Sequence, residues 1–128
     1  MSKPVGPYSP VVVAGGWVVT SGQIGVVATE SGTALVDGGT AAELDAALAN
    51  VVSVLGDAGA RLSDVVTATL FLVDMEDYAV ANEVWTRVFG DHRPARTAVA
   101  VAALPLGARV EVAAWAWIGS RGEGRSAI

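Results

Sequence analysis

The sequence predicts an α+β fold in two layers, a mixed sheet of five to six strands with two helices on one face. Three observations carry this prediction. Two stretches place apolar residues at helical spacing. Runs of β-branched residues flank them, giving the order β-β-α-β-α-β-β. The last two strands alternate in character, so each has a distinct face to bury. A chain of 128 residues suffices for one core. A single domain is expected over 1–118, with a polar tail over 119–128.

Residues 10–25 read as a hairpin. Val11, Val12 and Val13 lead to Gly15-Gly16, and Trp17, Val18, Val19 and Thr20 return. Residues 26–39, rich in Gly, Ser and Thr, read as a loop with a short strand at Ala34, Leu35 and Val36. Thr40 and Glu43 have the T-x-x-E spacing of a capping box. Leu44, Leu48, Val51, Val52 and Leu55 then form one apolar stripe, and Gly59 is the expected stop. A strand from Val65 to Val73 follows. Asp74 is the expected cap of a second helix with Tyr78, Ala81, Trp85, Val88 and Phe89 facing inward, and Gly90 ends it. The last strands are expected over about 96–103 and 109–118.

Alternation sorts these two strands. Thr97, Val99 and Val101 share one face, and Arg96, Ala98, Ala100 and Ala102 the other. Val110, Val112, Ala114 and Ile118 share one face, and Arg109, Glu111, Ala113, Trp115 and Trp117 the other. The branched faces suit packing under the helices. That assignment puts Arg96 and Glu111 together on the far face, too apolar for water and yet charged. A second subunit covering that face, with charged pockets in the seam, fits both properties.

Composition points the same way. Hydrophobic residues make up 52% of the chain and charged ones 16%, and mean hydropathy is +0.50. The surplus apolar surface calls for a subunit interface. Pro105, Gly107, Arg109 and Glu111 break the most apolar stretch, so no membrane span is expected. Lys3 followed by Pro4, Gly6, Pro7 and Pro10 is no signal peptide. The absence of cysteine fits a cytoplasmic protein. A net charge of −5 and a pI near 4.6 argue against nucleic-acid binding. No metal site is expected: the lone His92 is read as solvated, and no ligand cluster accompanies it.

Two charges inside apolar strands demand an explanation, since burying an unpaired ion costs at least several kcal/mol, roughly. Arg96 offers a planar fork suited to a carboxylate. Its structural alternative is an intersubunit salt bridge, and that of Glu111 is to be its partner there or else an exposed strand residue. Glu111 in turn is placed to hold and polarise a water as general base. Tyr8 sits on a Pro-stiffened arm, either walling a pocket or anchoring the N-terminus. Asn82 shares a helix with Tyr78 and Trp85. Ser21 resembles no nucleophile elbow.

Three segments together carry a family resemblance, GPYSPVVVAGGWVVTSGQIG, VTATLFLVDMEDYAVANEVW and FGDHRPARTAVAVAALPLGARVEVAAWA. From about Gly6 to Ala116 the chain resembles the Rid (YjgF-type, reactive intermediate deaminase) family, in particular its RidA branch. The resemblance implies a chorismate-mutase-like fold and a homotrimer with interface clefts. It also implies hydrolysis of 2-imino and enamine acids to 2-keto acids and ammonia, without metal or organic cofactor. Carried over, Arg96 binds the substrate carboxylate in bidentate fashion and Glu111 positions the attacking water. Tyr8, Ser21 and Asn82 line the cleft, and the backbone of Ala98 holds the imine nitrogen. Ala98 stands where relatives often have Cys, Ala100 where many have Glu, Glu43 where Gln is frequent, and Trp85 where Tyr is frequent. Two rival readings accompany this one: a pathway-specific deaminase or hydrolase for a larger acid, motivated by Trp85 and the short loop between the second helix and Arg96, and a ligand-binding or regulatory trimer with little turnover.

Overall fold

The computed structural model describes residues 6–119. The expected polar tail, apart from Gly119, and the segment around Lys3 and Pro4 lie outside them. Seven strands and two helices follow in the order β1 (Val11–Ala14), β2 (Trp17–Thr20), β3 (Val26–Thr29), β4 (Gly32–Leu35), α1 (Gly39–Asp57), β5 (Val65–Leu72), α2 (Tyr78–Phe89), β6 (Ala95–Ala100) and β7 (Val110–Trp117). Five strands form one sheet in the order β1-β2-β7-β5-β6. Only β5 and β6 pair in parallel, because α2 carries the chain back between them. The expected two-layer α+β arrangement is what folds.

Residues 26–39 correct the sequence reading. They form a second hairpin, β3 with β4, in which Val26 faces Leu35 and Thr29 faces Gly32. Asn50 of α1 anchors it, donating from Nδ2 to the carbonyls of Ile24 and Val26, both at 3.0 Å. Gly25 makes that approach possible, since a Cβ there would stand 2.7 Å from the Cα of Glu43.

The core lies between the helices and one sheet face. From α1 come Leu44, Leu48, Val51, Val54 and Leu55; Val54 takes the inward place expected of Val52, which points outward. From α2 come Ala81, Val84, Trp85 and Phe89, and the sheet supplies Val18, Ala68, Leu70, Leu72, Val110, Val112 and Ala114. These are the branched residues expected inward on β7.

The expected capping box does not form. α1 begins after Gly38 without a side-chain cap. The Thr40 hydroxyl instead donates to Asp77 Oδ2 at 2.6 Å, and Glu43 Oε1 accepts from the Arg109 amide at 2.9 Å. Arg109 donates from Nε to Thr40 Oγ1 and from Nη2 to Asp77, both at 3.0 Å. Long-range partners thus outcompete the local cap and tie the starts of α1, α2 and β7 together. Asp74 caps the 3-10 turn Met75–Asp77 that leads into α2, accepting from the Glu76 amide. His92 is not merely solvated: its Nε2 lies 2.7 Å from the Val65 carbonyl.

Strand β6 corrects the facial assignment. Ala68, Leu70 and Leu72 of β5 face the helices, and they pair with Arg96, Ala98 and Ala100. Arg96 therefore lies on the helix side, and Thr97 and Val99 on the open side. The bulk on the helix side comes from Trp85 and Phe89 of α2, and β6 contributes Ala98 against them. Glu111 pairs with Phe71 and lies on the open side. That face also carries Trp17, Val19, Trp115 and Trp117, with Trp17 edge-on to both of the others. Among the described residues, no helix is long and apolar enough to cross a membrane.

Candidate functional site

The expected site residues fall into two groups on opposite faces of the sheet. The first surrounds Arg96. Its Nη2 donates to Asn82 Oδ1 at 2.8 Å and to Tyr78 Oη at 3.1 Å. Its guanidinium carbon stands 5.0 Å from the Trp85 ring and 5.5 Å from the Tyr78 ring. Tyr78, Asn82 and Trp85 are spaced i, i+4 and i+7, so one face of α2 presents all three to the β6 edge. Each ring contact is worth roughly 0.5–2 kcal/mol, depending on its hydration.

No carboxylate joins this group. Among the described residues the ion pairs are Arg87 with Asp45 and Arg109 with Asp77. The salt bridge expected as the structural alternative is one between subunits; within the chain Arg96 and Glu111 form no bridge and cannot meet. Strand geometry puts their Cα atoms about 10 Å apart along the strands and about 10 Å across them, with side chains on opposite faces. Rings and neutral oxygens, not a carboxylate, orient Arg96 among the described residues.

Ala98 belongs to this group through its backbone. Strand β6 is an edge. The Val101 amide donates to Leu72, so alternation turns the amides and carbonyls of Arg96, Ala98 and Ala100 to the free side. An open N–H and C=O thus lie one turn of the pleat from the guanidinium.

The second group surrounds Glu111. Gly22 lies against its side chain: a Cβ there would overlap Oε2 and stand 2.6 Å from Cδ. The neighbouring Gln23 holds Val112 in a reciprocal backbone pair, at 2.7 and 2.9 Å, which fixes this approach. The Glu111 carboxylate has no hydrogen bond or ion pair among the described residues, and burial raises its pKa above the ordinary 4.5. Ser21, beside Gly22, donates its hydroxyl to the Ser9 carbonyl at 2.6 Å and its amide to the Pro10 carbonyl at 2.9 Å. It is thus a strut that holds the arm carrying Tyr8. Tyr8 itself is exposed.

The structure therefore joins Arg96 to Asn82, and joins Ser21 to the Tyr8 arm and, through Gly22, to Glu111. It does not join the two halves within one chain. Sequence reasoning missed two contributors. Tyr78 reads as core by periodicity, yet it is 40% exposed and bonds Arg96. Gly22 carries no chemistry of its own, and only its place between Ser21 and Gln23 could have marked it. Trp85, expected to shape the cleft for a larger substrate, is 5% exposed, stacks on Phe89 at 4.6 Å and backs the Arg96 guanidinium from the core side.

Known proteins share this fold. The family model described as Endoribonuclease L-PSP matches residues 1–118. The human protein named 2-iminobutanoate/2-iminopropanoate deaminase is 41% identical over 110 residues, covering 86% of this chain and 79% of its own. A RutC family protein of Pyrococcus abyssi is 38% identical, covering 90% of this chain and 89% of its own. Among solved structures, RidA from an Antarctic Psychrobacter superposes with a TM-score of 0.85 at 38% identity, covering 91% of this chain and 93% of that one. Escherichia coli TdcF with bound serine superposes with a TM-score of 0.82 at 31% identity, covering 91% of each chain. Matched over nearly its whole length in sequence and in fold, the chain belongs to the Endoribonuclease L-PSP family, the YjgF/RidA family.

Proposed function

We propose that this protein hydrolyses reactive 2-imino and enamine acids to 2-keto acids and ammonia, as a cytoplasmic homotrimer in which residues 1–118 act as one domain. The observation that carries this reading is Arg96, oriented by Tyr78 and Asn82 and left without an acidic partner among the described residues. A guanidinium so held is a receptor for an external carboxylate. The names of the relatives supply the reaction class.

In this reading the cleft forms across a seam. Arg96, Asn82 and the free edge of β6 come from one protomer, while Glu111, Ser21 and Tyr8 come from its neighbour. Three features support the seam: the two groups lie on opposite faces, the open face is apolar, and Trp115 and Trp117 stand 48% and 49% exposed on it.

Arg96 takes the substrate carboxylate, and the Ala98 backbone holds the imine nitrogen. Glu111 accepts a proton from a water as the water oxygen bonds to C2 and the C=N electrons move to nitrogen. The nitrogen takes up a proton, giving a carbinolamine. Glu111 then returns its proton to the amine as the C–N bond breaks, ammonia leaves, and the hydroxyl proton is lost as the ketone forms. A carboxylate with a raised pKa is the better base for the first step. The imine is already electrophilic, so orientation and a proton path suffice. No step calls on a metal or organic cofactor. The acidic pI of 4.6 disfavours an RNA substrate, despite the description of the family model.

The test is direct. A dehydratase acting on serine generates 2-aminoacrylate in solution, and pyruvate is followed with and without the purified protein. The expected result is faster pyruvate release that Arg96→Ala abolishes while the assembly survives. Release at the buffer rate from folded, assembled wild type overturns the reading. Equal activity of wild type and Arg96→Ala overturns the role of Arg96.

A further inference from the structure

The inference concerns how the anion is held, and it rests on reading Arg96 as a carboxylate receptor. A guanidinium offers two bidentate edges, Nε with Nη2 and Nη1 with Nη2, and each uses a hydrogen of Nη2. In this protein Nη2 faces two acceptors, Asn82 Oδ1 at 2.8 Å and Tyr78 Oη at 3.1 Å. Nη2 is shared between these two acceptors, so both edges meet competition at the nitrogen they have in common. The bidentate grip expected from the sequence is thus contested at Nη2, and Nη1 and Nε are the donors that face neither acceptor.

Tyr78 resolves this shortfall. A phenol oxygen that accepts from Arg96 still carries its own proton, and that proton must point away from the guanidinium. Tyr78 is 40% exposed and its contact with Arg96 is an exposed one, so solvent or a ligand can reach the hydroxyl beside Arg96. Its ring, 5.5 Å from the guanidinium carbon, keeps the hydroxyl in register with the cation. Asn82 is the shorter and less exposed acceptor, and as a side-chain carbonyl at that contact it has no proton to offer.

We propose that Tyr78 is a substrate-binding residue: its hydroxyl donates to one carboxylate oxygen while Arg96 Nη1 donates to the other. The anion is gripped by a pair of donors from two residues, of which Arg96 supplies the charge and Tyr78 fixes the orientation. The matching ligand is a small monocarboxylate whose two oxygens are both unblocked. An ester or amide of the same acid loses both the charge for Arg96 and the second acceptor for Tyr78.

Tyr78→Phe separates the possibilities, because it removes one exposed hydroxyl and keeps the ring. Two readouts are taken on assembled wild type, Tyr78→Phe and Arg96→Ala: steady-state deamination, and binding of 2-oxobutanoate by isothermal titration. For Tyr78→Phe, KM and the 2-oxobutanoate Kd should both rise roughly 10- to 100-fold, the range for a lost hydrogen bond to a charged group, with kcat unchanged. Unchanged KM and Kd overturn the proposal. So does a fall in both, which would mean that Tyr78 merely blocks a fork that phenylalanine releases. If Arg96→Ala binds 2-oxobutanoate as wild type does, the carboxylate receptor itself is misplaced and both readings fail. If only Tyr78→Phe is silent, the reading of Arg96 stands alone.

Discussion

Arg96 and Glu111 lie on opposite faces of one sheet, two strands apart, with Arg96 paired to Ala68 and Glu111 to Phe71. A reaction that needs both must draw them from different protomers. Arg96→Ala and Glu111→Ala should each be inactive alone. Mixed at equal amounts and reassembled, they should regain activity, because about a quarter of the seams then join an intact Arg96 to an intact Glu111. Pyruvate release from the mixture checks this. A mixture as dead as its components would mean that each protomer acts on its own.

Gly22 sets the position of Glu111. Its φ is not in the left-handed region, so alanine suits the backbone there. The added Cβ would nevertheless overlap the Glu111 carboxylate, the free end of a flexible side chain. Gly22→Ala should therefore leave stability within about 1 kcal/mol of wild type, as most local substitutions do. It should lower kcat by about 100-fold, the effect of displacing a reacting group by an ångström. Thermal melts and kcat measured together distinguish a moved carboxylate from a damaged fold.

The sequence carries the helices and their order because periodicity and end signals are local. Leu44, Leu48, Val51 and Leu55 are inward as spaced, and Gly59 and Gly90 close their helices at positive φ. The faces of β6 were harder to read, for a physical reason. Alternation separates Arg96 and Ala98 from Thr97 and Val99, but it carries no sign. The pairing of Ala68 with Arg96 supplies the sign, and nothing local to residues 95–100 encodes that partner. The capping box failed in the same way: Thr40 and Glu43 have the right spacing, yet Asp77 and Arg109 arrive from distant parts of the chain to claim them. The candidate site residues were legible as residue types. Their division between two faces was not.

Glu111 titrates with a definite sign. Burial raises its pKa above 4.5 in the folded protein, so the charged form is the costly one. Its contribution to stability is fully present below the unfolded pKa and is lost as pH rises through the folded value. Glu111→Gln, which removes that charge, should melt higher than wild type at neutral pH. The difference should vanish below about pH 4, where both carry a neutral side chain. The same variant should lack the base. Melting temperature against pH for the assembled pair checks the first expectation, and pyruvate release the second.

Asp77 behaves in the opposite sense. The Thr40 hydroxyl lowers its pKa below 3.8; burial opposes this, and the hydrogen bond and charge of Arg109 add to the lowering. Its stabilisation is present above the unfolded pKa and is lost as pH falls through the lowered folded value. Asp77→Asn keeps the shape and weakens the contacts to Thr40 and Arg109, at a cost of about 1–2 kcal/mol at neutral pH. Denaturant midpoints should show the two proteins converging once the pH falls below the folded value.

Trp115 tests the seam. It stands 48% exposed on the open face, edge-on to Trp17, in a sheet whose other face packs its core against α1 and α2. A charge at this position costs the protomer little, since the helix-side core is untouched, but it must be desolvated wherever the open face is covered. Trp115→Glu should therefore convert the assembly to folded protomers. Sedimentation should show the loss of mass, while far-ultraviolet circular dichroism stays as in wild type. Activity should disappear with the assembly, because Arg96 then has no neighbouring Glu111. If Trp115→Glu remains assembled and active, the open face is not the seam, and the two halves of the site must meet by another route.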